Sequence, residues 1–160
     1  MMVNNVVRFL NAKKVRYKLL ESPPVHRSAV DTAKLFNLDP DSVFKTIVMK
    51  KNTPGKPILC IVPGSYTADE KKVAALLKEK KVSVVTQNEA ERRTKAEAGG
   101  ISPLALINHG FTMLLDESAE LYPEIAISGG QRGMTILIAP HDLIQLTSPI
   151  IADIARRTDE

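Results

Sequence analysis

The chain has 160 residues, 44% hydrophobic and 25% charged, which describes one ordinary globular domain, residues 1–160, with enough apolar material for a single core. Lys plus Arg total 22 against 18 Asp plus Glu, and the net charge of +4 suits a polyanionic partner without resembling the dense basic stripe of a nucleic-acid packaging protein. One cysteine excludes an internal disulfide framework, three histidines disfavour a structural zinc cluster, and no apolar run approaches the ~20 residues that span a bilayer. The polar opening MMVNNVVRFLNAKK does not read as a signal peptide, so the cytoplasm is the expected compartment.

Val3, Val6, Val7 and Leu10 recur at helical spacing and predict a short amphipathic helix over residues 3–13. VRYKLL (15–20) reads as a strand ended by Ser22-Pro23-Pro24. Ser28 and Asp31 form a capping-box pattern that opens a helix running through Phe36. After the Asp39–Ser42 turn come two β-rich runs, 43–50 and 57–63, joined by the hairpin loop Asn52–Lys56. Thr67 and Glu70 suggest a second capping box before an amphipathic helix to about Lys80. VSVV (82–85) is a short strand, and a polar helix follows around 88–95. Strands are expected at 111–116, 124–128 and 134–139, and helices near 141–146 and 149–157. Helices and strands mix without strict alternation, and two connections resemble hairpins. The expected fold class is therefore α+β, with a mixed, mostly antiparallel, barrel-like sheet flanked by helices.

Three segments could carry chemistry. Lys45 lies inside a strand whose two faces are both largely apolar: Val43, Ile47 and Met49 share its side, while Phe44, Thr46 and Val48 occupy the other. A lysine there loses solvation unless a cavity, an anion or a carboxylate receives it. An edge strand with a snorkelling lysine is the alternative. Gly99-Gly100-Ile101-Ser102-Pro103 would let backbone approach a ligand closely and leave amides free to donate, although a plain loop has the same composition. Ser128-Gly129-Gly130-Gln131-Arg132-Gly133 lies between two apolar strands and holds more glycine than a hairpin needs. Its Arg132 is suited to a phosphate or carboxylate.

Other candidates are weaker. The last segment contains the GXXG of KH RNA-binding domains, but strands rather than helices flank it. Cys60, within ILCIV, reads as core. His26, His109 and His141 have no ligand spacing, so no metal and no cofactor is expected. No P-loop, GxSxG elbow or other nucleophile–base motif is present.

Val43-Phe44-Lys45-Thr46, Gly99-Gly100-Ile101-Ser102-Pro103-Leu104 and Ser128–Gly133 stand in an order and spacing that resembles the YbaK/EbsC family of aminoacyl-tRNA deacylases. The ending Ala152-Asp153-Ile154-Ala155-Arg156-Arg157 is similar to the family's tail. This family includes Cys-tRNA(Pro) deacylases and resembles the editing domain inserted in many prolyl-tRNA synthetases. The resemblance covers nearly the whole chain. It implies a compact α+β editing domain that removes a misattached small amino acid, cysteine on tRNA(Pro) foremost, from the tRNA 3′ end. Lys45 is implied as the catalytic residue. Thr46, Gly99, Gly100, Ile101, Ser102, Ser128, Gly129, Gly130, Arg132 and Thr135 are implied as substrate-binding.

The resemblance also implies a cleavage that needs no protein nucleophile: the substrate thiol, the tRNA 2′-hydroxyl or a water attacks the ester. Cysteine-selective members carry an aspartate where this chain has Thr135, and an aromatic residue where it reads Leu20-Glu21-Ser22. Alanine or another small residue is the alternative substrate. The implied partners are the acceptor end of a misacylated tRNA and a prolyl-tRNA synthetase that helps select it, with no membrane and no DNA. A non-catalytic module binding tRNA ends or a synthetase is the competing reading.

Overall fold

A computed structural model describes residues 4–158. Helix α1 (Asn5–Ala12) is followed by β1 (Tyr17–Glu21), α2 (Ala29–Leu35), β2 (Phe44–Lys51), β3 (Ile58–Pro63) and β4 (Tyr66–Ala68). Next come α3 (Glu70–Leu77), β5 (Val82–Val84), α4 (Gln87–Thr94), β6 (Thr112–Asp116) and β7 (Ile125–Ser128). The described chain closes with β8 (Met134–Ile138), α5 (Pro140–Thr147), β9 (Ile150–Ala152) and β10 (Ala155–Arg157).

The strands form three sheets, ordered β1-β8-β7, β10-β4 and β5-β2-β3-β6-β9. Five pairings are antiparallel, and the β3–β6 and β6–β9 pairings are parallel. The mixed α+β class and the β2–β3 and β7–β8 hairpins match the sequence reading. The expected barrel-like closure is absent among the described residues, where the three sheets stay open. The larger sheet ends on β5 and β9, each three residues long, which leaves little open edge.

Strand β3 explains the layering. All six of its residues are buried, as expected of a continuous apolar run with neighbours on both faces. Ile61 faces a core built from Val6, Val7 and Leu10 of α1, Ile125 and Ile127 of β7, Ile136 and Ile138 of β8, and Leu143 of α5. Ile58, Cys60 and Val62 face a second core with Met49, Val73, Leu114 and Ile154. Both sides of the five-stranded sheet are thus covered.

Caps set the helix boundaries. Asn4 accepts from the Val7 amide at 3.0 Å, and Ser28 accepts from Asp31 at 3.1 Å. Each such cap is worth about 1 kcal/mol. Val3, included in the expected first helix, lies outside the described residues.

Two expectations need correction. Thr67 belongs to β4, and α3 is capped instead by Asp69, which accepts from Lys72 N–H at 3.0 Å. The helix expected over 149–157 is replaced by β9 and β10. Ser148 adopts φ +49° at the end of α5 and turns the chain. Ile150–Ala152 then pairs with β6, and Ala155–Arg157 pairs with β4. Sheet edges donated by distant strands override the local pattern there.

Asp116, buried at the end of β6, holds this tail. One carboxylate oxygen accepts from Ile154 N–H at 3.0 Å, and the other from the Ser118 amide (3.2 Å) and hydroxyl (2.5 Å). Removing it would strand a buried amide. Asp116→Ala should lower stability in urea unfolding by about 2–4 kcal/mol, whereas Asp153→Ala, which breaks an exposed pair with Lys72, should cost at most about 1 kcal/mol.

Candidate active site

Two sheets meet where Val43, just before β2, bridges Ala126 of β7. Beside this join opens a cleft of about 310 Å³, within the size range of small-ligand pockets. One wall comes from Val43–Thr46 and Gly64, another from Ile127, Ser128 and Arg132–Thr135, and the rim from Val25–Ser28 and Ala98–Gly99.

Lys45 pairs across the hairpin with Val62 of β3 and shares its face with Ile47 and Met49, as the alternation required. β2 lies inside the sheet order, but β5 reaches only Met49–Lys51. The Lys45 end of the strand therefore opens into the cleft. Its side chain is half-buried, and Nζ donates to the Gly64 carbonyl at 3.1 Å. Burial pulls the amine's pKa below the ordinary lysine value. Gly64 must be glycine here: a Cβ would lie 2.5 Å from Ala29 Cβ and 3.0 Å from the Val43 carbonyl. The carbonyl that receives the amine is thus fixed by close packing.

The glycine-rich segments divide into wall and support. Ser128 donates from Oγ to the Gly99 carbonyl at 3.1 Å and accepts from Gly130 N–H at 3.2 Å, which joins the two loops. Gly129 and Gly130 pack away from the cleft. A Cβ on Gly129 would meet Met134 Cβ at 2.8 Å, and one on Gly130 would meet Val6 of α1 at 2.9 Å. Asn4 donates to the Gly129 carbonyl at 2.8 Å and ties α1 to the same turn. Gly133 presses on Ser22–Pro24, whose Ser22 amide donates to the Gly133 carbonyl at 3.0 Å. The surplus of glycine is explained by three places where a neighbour leaves no room for a Cβ.

Of the expected site residues, Lys45, Thr46, Gly99, Ile101, Ser128, Arg132 and Thr135 line the cleft together. Gly100, Ser102, Gly129 and Gly130 do not. Gly100 and Ser102 are buried, and Ser102 Oγ caps a 3₁₀ turn by accepting from Leu104 N–H at 3.2 Å. The loop amides are less free than their composition suggested. Gly100 donates to Glu97 and Gly129 to Met134, while the Gly99 amide has no partner among the described residues.

Sequence reasoning missed the Ser22–Ser28 rim. The signal was available in the unusual Pro23-Pro24 followed by His26 and Arg27, but nothing local says which wall that loop approaches. Thr32 and Gln87 also line the cleft and were not foreseen.

The chain's own nucleophiles are poorly placed. Cys60 is fully buried in β3, and burial pushes its thiol pKa up to about 12. No cleft hydroxyl donates to a carboxylate or imidazole among the described residues. No grouping of three or more His, Cys, Asp or Glu able to hold a metal occurs among them, and no helix is long and apolar enough to cross a membrane.

The sequence profile of the aminoacyl-tRNA editing domain matches residues 23–146, spanning every wall of the cleft. The chain belongs to the aminoacyl-tRNA editing domain family. A relative in Enterococcus faecalis (strain ATCC 700802 / V583), "Putative Cys-tRNA(Pro)/Cys-tRNA(Cys) deacylase EbsC", is 33% identical over 155 residues, 96% of this chain and 93% of the relative. Among solved structures, one of a hypothetical protein superposes with TM-score 0.86 at 20% identity, covering 96% of this chain and all of the other. The structure of "a putative trans-editing enzyme for prolyl tRNA synthetase" superposes with TM-score 0.79 at 24% identity, covering 98% and 99%. These two likenesses establish a shared fold.

Gly133 gives a direct test of how the rim is held. Its φ is +84°, and a Cβ would sit 2.5 Å from the Ser22 carbonyl oxygen. Gly133→Ala should destabilise the fold by about 1–3 kcal/mol in thermal or urea unfolding.

Proposed function

We propose that this chain is a trans-editing deacylase that removes a misattached small amino acid, cysteine on tRNA(Pro) foremost, from the tRNA 3′ end. The observation that carries the reading is the Lys45 ammonium, half withdrawn from water and aimed from β2 into a cleft shared with Gly99, Ser128 and Thr135. The 33% identity to a relative named as a Cys-tRNA(Pro)/Cys-tRNA(Cys) deacylase supports cysteine as the amino acid. The likeness to a structure named for prolyl tRNA synthetase supports that synthetase as the partner that helps select the tRNA.

The substrate is an ester, already activated relative to an amide. Its cleavage needs the carbonyl oxygen stabilised as negative charge develops. A lysine ammonium in a partly desolvated site does this more strongly than one in bulk water, and the unpartnered Gly99 amide is a second candidate donor. Ser128 and Thr135 offer hydroxyls to the α-amino group or ribose. With Cys60 inert and no carboxylate lining the cleft, the nucleophile comes from the substrate or from water. When the amino acid is cysteine, its sulfur bonds to the carbonyl carbon, the ester C–O bond breaks, and the thiol proton passes to the departing ribose oxygen. The products are a cyclic thiolactone and free tRNA. With water as nucleophile the products are free amino acid and tRNA.

Lys45→Ala should reduce deacylation of Cys-tRNA(Pro) by roughly 10²–10³-fold while circular dichroism and the unfolding midpoint stay near wild type. Undiminished turnover would remove Lys45 from the mechanism, and ester left intact on tightly bound tRNA would make the wild-type chain a binder.

The pH profile gives an independent check. Desolvation makes Lys45 lose its proton at lower pH than an ordinary lysine. If the ammonium is the active form, kcat/KM falls along an alkaline limb centred below the ordinary lysine value. Lys45→Arg, which stays charged, should shift that limb upward even if its rate is lower.

A further inference from the structure

The cleft wall carries Arg27, Lys45 and Arg132 together with His26, yet no aspartate or glutamate contributes to it, although the chain has 18 acidic residues. Three cationic side chains around one small hollow, with only Glu97 beside Arg132 as a counter-charge, favour the arrival of an anion. Lys45 sits deeper, with its amine directed to the Gly64 carbonyl. His26 and Arg132 meet over the exposed Gly99, and Arg27 lines the same cleft from the Ser22–Ser28 loop. The position a Gly99 Cβ would take is 3.2 Å from His26 Cδ2 and 3.6 Å from Arg132 Cγ.

The two guanidinium groups are held but not used up. Arg132 donates through Nε to the Ala98 carbonyl at 2.7 Å, and its two Nη groups have no partner among the described residues. Arg27 donates through Nη1 to Ser22 Oγ at 3.0 Å and to the Pro23 carbonyl at 2.9 Å. Its Nε and Nη2 have no partner, and it forms no ion pair among the described residues. Backbone contacts therefore fix each fork while leaving N–H donors for a ligand. The loops bearing them are joined by the Ser22–Gly133 hydrogen bond, so the spacing of the two forks is set before any ligand binds.

We propose that Arg27 and Arg132, with His26, form an anion subsite at the cleft mouth that holds the phosphodiester immediately 5′ of the terminal adenosine. This rests on the deacylase reading for the identity of the anion's source. A nucleotide bound in this way has its phosphate in the forked donors and its ribose ester directed inward toward Lys45. The division of labour is clear in chemical terms: the mouth binds the charge that every tRNA carries, and the interior treats the ester. Glu97 tempers the subsite. Its exposed carboxylate lies 3.6 Å from Arg132 Nε and competes with an incoming phosphate.

The test compares adenosine, 5′-AMP and a CCA-ending trinucleotide as ligands of the intact protein, by calorimetry or NMR titration. 5′-AMP should bind about tenfold tighter than adenosine, the trinucleotide at least as tightly as 5′-AMP, and added salt should narrow the difference. Arg132→Gln and Arg27→Gln should each erase most of the phosphate advantage and leave adenosine binding within about twofold. Arg27→Lys, which keeps the charge, should retain part of it, and Glu97→Gln should enlarge it. Circular dichroism and the unfolding midpoint of each variant separate a lost subsite from a lost fold.

Equal affinity for adenosine and 5′-AMP, or no binding of either at millimolar concentration, overturns the subsite. Tight 5′-AMP with no binding of the trinucleotide overturns the tRNA assignment in favour of a free nucleotide. A phosphate advantage that persists in a protein unable to deacylate any charged tRNA would refute the enzymatic reading while sustaining the subsite.

Discussion

A primary amine kept partly out of water governs the useful geometry of this molecule. Lys45 occupies a strand position whose neighbours on the same face, Ile47 and Met49, enter the apolar core. It escapes that core because the flanking strand β5 stops short and the neighbouring sheet joins only at Val43. The cost of burying the charge is limited by one fixed carbonyl, that of Gly64. A half-desolvated ammonium is poorly satisfied by a single neutral acceptor, which is the condition under which a developing oxyanion gains most from it.

The supporting structure repeats one device, glycine where a neighbouring segment packs too close to leave room for a Cβ. Gly64 admits α2, Gly130 admits α1, and Gly133 admits the Ser22–Pro24 segment. These approaches position loops that carry no regular secondary structure, and Ser128 then links two of them by accepting one hydrogen bond and donating another. The cleft is therefore rigid on its walls for reasons separate from any ligand. Such preorganisation suits electrostatic catalysis, where the dipoles must not have to rearrange as charge forms.

Absence of a built-in nucleophile follows from the same architecture. The one thiol lies within a strand buried on both faces, and burial holds it protonated. The hydroxyls in the cleft lack a hydrogen-bonded base. What remains is cationic and hydrogen-bonding, a site able to orient and polarise a reactive ester. The membership in the aminoacyl-tRNA editing domain family fits a site of this character.

Local pattern was a good guide wherever a segment's fate depends on its own neighbours in the chain. The apolar run of β3, the cap at Ser28, and the two hairpins were all legible because periodicity and turn chemistry act over a few residues. The lysine at position 45 was conspicuous for the same reason, as a charge in an oily strand. Three matters depended on tertiary structure. Residues 149–157 became strands because β6 and β4 offered open edges, which no local signal reveals. The glycines of the 99–102 and 128–133 segments were divided into cleft wall and packing contact by their packed neighbours, which for Gly130 and Gly133 are Val6 and Ser22, over a hundred residues away. The Ser22–Ser28 loop joined the site only because Gly133 could receive it. Helices and turns are specified by short-range sterics and hydrogen bonding, whereas a cleft is the gap left between elements, and its walls exist only once distant segments have packed.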